Sequence, residues 1–499
     1  MILLEHKVMM GARKLCFLFL FAIFVASEGT YNYGSLYCEN DQKLTCHYKP
    51  NVLDVKGAVA VASYNDTLME TGWGILDIAS GYGKSITVQD RDIMYAAGFL
   101  EGTLTAKHIY QHYQNMKDYF FKSATTDLMQ DVKNFFAKQD SWLRKNVEDN
   151  ANDPFWRHAG MIISQFDGLV DGYKSAAGQN QNLDVFAFQA LNGVGDLIDL
   201  MKALQPSSIP DWTKMTKVEA TEYVQRHGMC SALVKVLGAY ENLFMSHSSW
   251  FEYQATLRIY KHYNFNVLDS ATAAKRISFS SYPGFLESLD DFYLMSSQMV
   301  MLQTTNNVFN TSLYKFVQPQ SLLAWQRIRM ANMMAHSGKE WAGVVSKYNS
   351  GTYNNQYMII DLKKIQLGKS IGDDALWVIE QIPTLVKSGD QSEILRADYE
   401  NDKYSEGDSC NAICCRGDLK HAKPGPFGCY DTKVADYEMA LNFEANIISG
   451  PTTSHGLPAF EWTESYTQSH IGLPKTYNFP FITTKPRWDN KKVRKFGKM

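Results

Sequence analysis

A helical block set between two strand-bearing stretches is the feature that most limits what this chain can fold into. From Asp90 to about Tyr173 apolar residues recur at three- and four-residue spacing, as in Leu128, Val132, Phe135 and Phe136 with charged residues between them. That spacing predicts several amphipathic helices whose Phe and Trp residues form core. Before the block, Val55 to Ser63 and Gly72 to Ile78 have strand texture, with Tyr64-Asn65-Asp66 as the expected turn. Ala176 to Asn182 is a polar loop, and a short helix is expected over Phe186 to Leu204. Strand texture returns at Ser231 to Leu237, Leu243 to Ser246, Arg276 to Ser281, Tyr357 to Leu362 and Leu376 to Ile382, whereas Tyr253 to Tyr263 and Gln320 to Ala335 read as helices. Elements in this order suit an α+β layered domain, and two sheets packed face to face with helices outside accommodate them.

With 499 residues the chain has room for one large or two ordinary domains. A net charge of only −3 supplies no field that would draw nucleic acid or an anionic membrane. The aromatic share of 13% points to a broad core and an apolar substrate surface. Arg13-Lys14, the apolar run Leu15 to Val25 and the small residues Ala26-Ser27 follow the order of a secretory signal peptide over residues 1–27. The run is too short to span a bilayer comfortably. Asn65-Asp66-Thr67 and Asn310-Thr311-Ser312 are glycosylation sequons that agree with a secretory route. The basic tail Lys491 to Lys498 reads as a solvated end.

The cysteines sharpen this. Cys16 falls in the signal, Cys38 and Cys46 are close enough to pair, and Cys410, Cys414, Cys415 and Cys429 form a compact group. Strain disfavours a bond between adjacent cysteines, leaving 410–415 with 414–429, or 410–414 with 415–429; the first is the expectation. A zinc site is the rival reading, less suited to an oxidising lumen. Cys230 is left over in either case.

Cys230 lies between a polar, Pro-containing segment and an alternating apolar run, in His227-Gly228-Met229-Cys230-Ser231-Ala232-Leu233. A thiol is mostly protonated near neutrality and needs a neighbouring base. A cut between Met229 and Cys230 would provide one, since the new α-amine, of a kind that titrates at about 7.7–8.0 in short peptides, sits beside the thiol. Gly228 gives the backbone room for strain there. Such a nucleophile would hydrolyse an ester or amide in two steps through an acyl-enzyme. The bland alternative is a buried, inert cysteine. No Gly-x-Ser-x-Gly or His-Glu-x-x-His is present, so serine-lipase and zinc-hydrolase chemistry has no support.

The stretches His227 to Lys235, Ser246-His247-Ser248-Ser249-Trp250, Leu257 to His262, Phe279 to Gly284, Asp290-Asp291-Phe292-Tyr293, Gln303-Thr304-Thr305, Asn349 to Gln356, Cys410 to Cys415 and Gly428 to Val434 closely resemble the phospholipase B-like family, and most of all its type 1 branch. The resemblance covers nearly everything after the signal. It implies an N-terminal-nucleophile hydrolase, an αββα four-layer sandwich matured by self-cleavage, in a lysosomal or secreted glycoprotein. Residues 28–204 would form the N-terminal fragment, 205–229 a linker or propeptide, and 230–499 a C-terminal fragment starting at the nucleophile. By motif position Cys230 matches the nucleophile, His247 a second catalytic residue, and Trp250 and Thr305 pocket residues. Without the resemblance, His247 reads as a structural histidine, Trp250 as packing and Thr305 as an ordinary strand residue.

One departure stands out. Relatives carry several dozen further residues between the segments matching Glu380-Gln381-Ile382-Pro383 and Cys410, whereas this chain passes from Leu395-Arg396-Ala397-Asp398-Tyr399 almost directly to Asp408-Ser409-Cys410. The resemblance places an asparagine and an arginine of the active site in that stretch, and losing an oxyanion donor costs about 10²–10³ in rate. Asn354 and Asn355 are the amides expected to stand in. Three functions follow: a hydrolase removing fatty acyl chains from phospholipids, an amidase on N-acyl lipids or peptides, or a silent lumenal binding protein. None calls for a metal or cofactor. Arg416-Gly417-Asp418 reads as a turn in the disulfide loop rather than as a recognition tripeptide.

Overall fold

The computed structural model describes residues 31–40, 44–83, 88–122, 124–220, 223, 230–397, 414–420 and 424–488. The expected signal, the Met229 side of the cleavage site, Cys410 and the basic tail lie outside the described residues.

Two sheets carry the molecule. Eleven strands form the larger, running Leu385–Asp390, Leu376–Ile382, Asn355–Asp361, Met299–Thr305, Tyr293–Met295, Arg276–Ser281, Arg258–Phe265, Trp73–Ser80, Ala60–Thr67, Tyr31–Asn40 and Leu44–Pro50 from edge to edge. Among the described strands every pairing is antiparallel but one: Trp73–Ser80 runs parallel to Arg258–Phe265, in register from Trp73↔Arg258 to Ser80↔Phe265. The smaller sheet orders Ile482–Thr484, Ala445–Ser449, Asp431–Asp436, Leu243–Ser248 and Ser231–Val236. Strand periodicity divides each strand's side chains between two faces. Trp73, Tyr260, Leu294, Val300, Leu302 and Ile360 of the large sheet meet Leu243, Met245, Ala435, Ala445 and Ile447 of the small one in a continuous core. The opposite face of the large sheet, including Leu76, Ile259, Tyr263, Phe279, Met301 and Tyr357, packs against helices. The result is an α+β sandwich of the N-terminal-nucleophile hydrolase type.

The helical block resolves into Asp90–Leu104, Ala106–Phe121, Thr126–Asp149 and Pro154–Ala176. Its starts are chemically marked. Thr125 accepts the Leu128 N–H, and Asp153 accepts that of Phe155 with Pro154 in the first turn, satisfying donors that have no partner inside a helix. Asp90–Leu104 and Pro154–Ala176 cross on glycines. A methyl group at Gly98, Gly168 or Gly172 would stand 2.0 Å from a backbone carbonyl oxygen of the facing helix.

Three expectations change. The turn at Tyr64-Asn65-Asp66 is strand, since Ala60–Thr67 continues through it and reverses at the helical turn Leu68–Thr71. The helix over Phe186 to Leu204 divides at Gly193 into Val185–Asn192 and Val194–Leu204. The helix expected over Tyr253 to Tyr263 is the strand Arg258–Phe265, buried along its whole length. Burial on both faces removes the alternation by which a strand is read, and the spacing of Leu257, Tyr260 and Tyr263 imitates a helix.

Cys38 is bonded to Cys46, and Cys414 to Cys429. Cys415 is also in a disulfide. Cys230 is free. Arg416 is buried and forms a bidentate pair with Asp418 at 2.9 and 2.6 Å while donating to the Thr452 and Pro458 carbonyls, which excludes the tripeptide as a recognition loop. Asn310 is exposed and Asn65 half-buried in its strand. No described helix is long and apolar enough to cross a membrane.

Candidate active site

Cys230 stands where the Ser231–Val236 strand begins and lines a narrow cavity of about 20 Å³. The walls come from six separated stretches: Val194, Gly195 and Ile198 at the start of a helix; Ser249, Trp250 and Phe251 after the Leu243–Ser248 strand; Tyr282; Leu289 and Asp290; Tyr353; and Tyr430. Most of this surface is aromatic or aliphatic. Tyr353 closes one side by lying on Gly195, where a Cβ would meet its ring at 2.4 Å.

The backbone at Cys230 has φ +81°. Non-glycine residues enter this left-handed region at a cost, and residues held there cluster at functional sites. The strain sits on the residue that follows the expected scissile bond. Burial pushes the thiol up to about 12, against a weaker downward pull from the Trp250 backbone N–H that it accepts. In the uncut chain this thiol is therefore a closed nucleophile.

Beneath it lies a buried cluster of two cations and two anions. Arg258 pairs with Asp290 and, at 2.9 Å, with Asp431. Lys433 reaches Asp290 at 3.1 Å, Asp431 at 2.7 Å and the Ser249 hydroxyl at 2.6 Å. Asp290 further accepts from the Tyr282 and Ser280 hydroxyls at 2.8 and 2.7 Å. Although burial works in the opposite direction, Arg258 and Lys433 hold its carboxyl well below the usual range, a permanent carboxylate. Asp291, the next residue, goes the other way. Burial and the charge of Asp290 hold its carboxyl well above the usual range. Asp291 is not among the residues that line the cavity.

The expected site residues are only partly brought together. Cys230 and Trp250 share the cavity. His247 is fully buried outside its lining, on the face of the small sheet turned toward the large one; its Nε2 donates to the Gln303 carbonyl at 3.1 Å and Nδ1 has no partner. Burial, with Lys433 nearby, keeps this imidazole neutral. Thr305 ends its strand opposite Asn355, away from the cavity walls. Asn354 is committed to Asp199 at 3.0 Å and the Gly351 carbonyl at 2.9 Å, and Asn355 donates to the Tyr357 hydroxyl at 3.3 Å. Gly195, Ser249, Asp290, Tyr282, Tyr353 and Tyr430 carry no mark of their own in the sequence. All but Gly195 do lie within the stretches that carry the family resemblance, and that is their one signal.

The disulfide cluster backs this wall. Cys429 pairs with Trp250 across the Phe427–Cys429 and Trp250–Glu252 strands, and Cys415 and Phe427 pack against the indole.

Comparison with known proteins agrees with this picture. The sequence profile described as Phospholipase B matches residues 60–398 and 393–484, two pieces that adjoin where the shortened segment was expected. Phospholipase B-like 1 of Rattus norvegicus is 45% identical, over 87% of this chain and 89% of its own. Phospholipase B of Crotalus adamanteus is 44% identical over 87% and 90%. Phospholipase B-like protein D of Dictyostelium discoideum is 32% identical over 85% and 87%. On fold, cavity and this shared sequence, the chain belongs to the phospholipase B-like family.

Proposed function

We propose that the chain is an acyl hydrolase that cuts itself before Cys230 and then uses that residue as an N-terminal nucleophile on the fatty acyl groups of phospholipids. One observation carries the reading: the single free thiol among the described cysteines opens onto an apolar cavity, from a strained backbone at the start of a strand. Release of the α-amine gives the thiol a proton acceptor within its own residue. The thiolate adds to the acyl carbonyl carbon, the proton passes from the amine to the departing alkoxide oxygen, and water hydrolyses the thioester. The names borne by the relatives favour lipid esters. The disulfides fit a secretory compartment, with the lysosome or the exterior as destination.

The test is to express the chain through a secretory route, hold it at acidic pH and sequence the fragment N-termini. A fragment beginning Cys230-Ser231-Ala232-Leu233 is expected, together with fatty acid release from phospholipid vesicles that Cys230→Ala abolishes. Turnover of N-acyl amines with phospholipid untouched would make the enzyme an amidase. A chain that stays whole and inert would favour the silent binding protein, the reading to which the two-piece family match lends weight.

A further inference from the structure

The polar groups on the cavity wall are nearly all committed. Tyr282 gives its proton to Asp290, so Tyr430, hydrogen-bonded to the Tyr282 oxygen, is the donor of that pair. Tyr353 donates to the Leu289 carbonyl and accepts from Gln303. Asp290 is an acceptor saturated by Arg258, Lys433, Ser280 and Tyr282. The Trp250 backbone N–H is on the thiol.

Ser249 is the exception. It is 2% exposed, and its backbone N–H is taken by Asp431 at 3.0 Å. Its hydroxyl oxygen accepts from the Lys433 ammonium at 2.6 Å, and all three ammonium protons are then used, the other two by Asp431 and Asp290. A hydroxyl carries one proton of its own, and no acceptor for it stands among the described residues. A buried donor left unmade is costly, so such a proton marks a place built for an acceptor that arrives from outside. Ser231 pairs with Ser248, which makes Cys230 and Ser249 facing positions one step beyond that pair. An ammonium on the oxygen's lone pair also polarises the O–H and strengthens it as a donor.

We propose that the Ser249 hydroxyl is the donor that stabilises the oxyanion formed when Cys230 adds to an acyl carbonyl, with Lys433 polarising it from behind. The inference rests on Cys230 being the nucleophile. As the C–S bond forms, the carbonyl π pair moves to oxygen and that oxygen accepts the Ser249 proton in a hydrogen bond. The pair returns when the C–O or C–N bond to the leaving group breaks. A neutral carbonyl calls on this bond weakly and an oxyanion strongly, so the contribution belongs to kcat.

The experiment compares wild type, Ser249→Ala and Ser249→Thr as matured enzyme, each checked for the Cys230 N-terminus, with Cys230→Ala as the thiol-free blank. Steady-state kinetics are paired with the affinities of octanal, which adds to a thiol as a tetrahedral mimic, and of octanol, which does not. Ser249→Ala is expected to lower kcat about 10²-fold, with KM within threefold and octanal weakened while octanol is unmoved; Ser249→Thr, which keeps the hydroxyl, recovers most of the rate. Should the alanine variant not fold, Ser249→Cys, a weaker donor of similar size, is read for the same split. A kcat within threefold of wild type, or octanal and octanol weakened alike, overturns the assignment and leaves Ser249 a prop for Lys433. A wild type no faster than Cys230→Ala overturns the thiol reading itself, and this inference with it.

Discussion

Asp77 ties a single carboxyl to the pH at which the fold is most secure. It lies buried on the Trp73–Ser80 strand, accepts the Arg487 backbone N–H at 2.7 Å and, among the described residues, has no cationic side chain bonded to it. Burial pushes it up to about 7. An unfolded chain releases this proton near pH 4, so between roughly pH 4 and 7 the folded state binds more protons and stability falls as pH rises. The loss reaches at most about 4 kcal/mol above pH 7, at about 1.4 kcal/mol per pKa unit. Asp77→Asn is expected to remove the decline. Its denaturant midpoint should exceed that of wild type at pH 7.5 and match it at pH 4. Equal shifts at both pH values would place the effect in packing rather than in the proton. What sequence conveyed at this scale was uneven. Cys230 stood out by arithmetic, being the cysteine with no partner, and Trp250 lay within the same short stretch. Gly195, Asp290, Tyr353 and Tyr430 reach the cavity from distant positions, and no local spacing joins them.

Among the elements, the pairing of Asp90–Leu104 with Pro154–Ala176 makes a prediction opposite to helix propensity. Gly→Ala inside a helix usually stabilises by about 1 kcal/mol. At Gly172 the new methyl would instead stand 2.0 Å from the Phe99 carbonyl oxygen, and the helices would have to part. Gly172→Ala is expected to destabilise by about 1–3 kcal/mol, as overpacked cores do, whereas Gly343→Ala, with open space around it, is the stabilising control. Thermal melts of the two variants separate the cases, and a stabilised Gly172→Ala would mean that the helices are not in this contact. Elements were legible wherever one face is wet, as in the four helices up to Ala176, because alternation with polar residues carries the period. Arg258–Phe265 was not legible. Its Arg258, Lys261 and His262 are buried only because Asp290, Glu101, and the pair Ser278 and Thr484 receive them, and those partners are known only once the sheet exists.

For the whole molecule, the parallel seam between Trp73–Ser80 and Arg258–Phe265 decides what a cut before Cys230 would do. The strands from Tyr31 to Ser80 lie on one side of the cut in sequence, and those from Arg258 to Asp390 on the other, yet they form one sheet. The cavity likewise takes Val194, Gly195 and Ile198 from one fragment and its remaining walls from the other. The two fragments are expected to co-elute on size exclusion without denaturant and to separate only in its presence; separation in plain buffer would contradict the seam. On the proposed maturation the seam also gives the protein a history. Before the cut, unfolding is reversible by closure of a tethered loop. Afterwards the same reunion is a meeting of two molecules, dilute and slow, so the mature form persists for as long as it does not come apart.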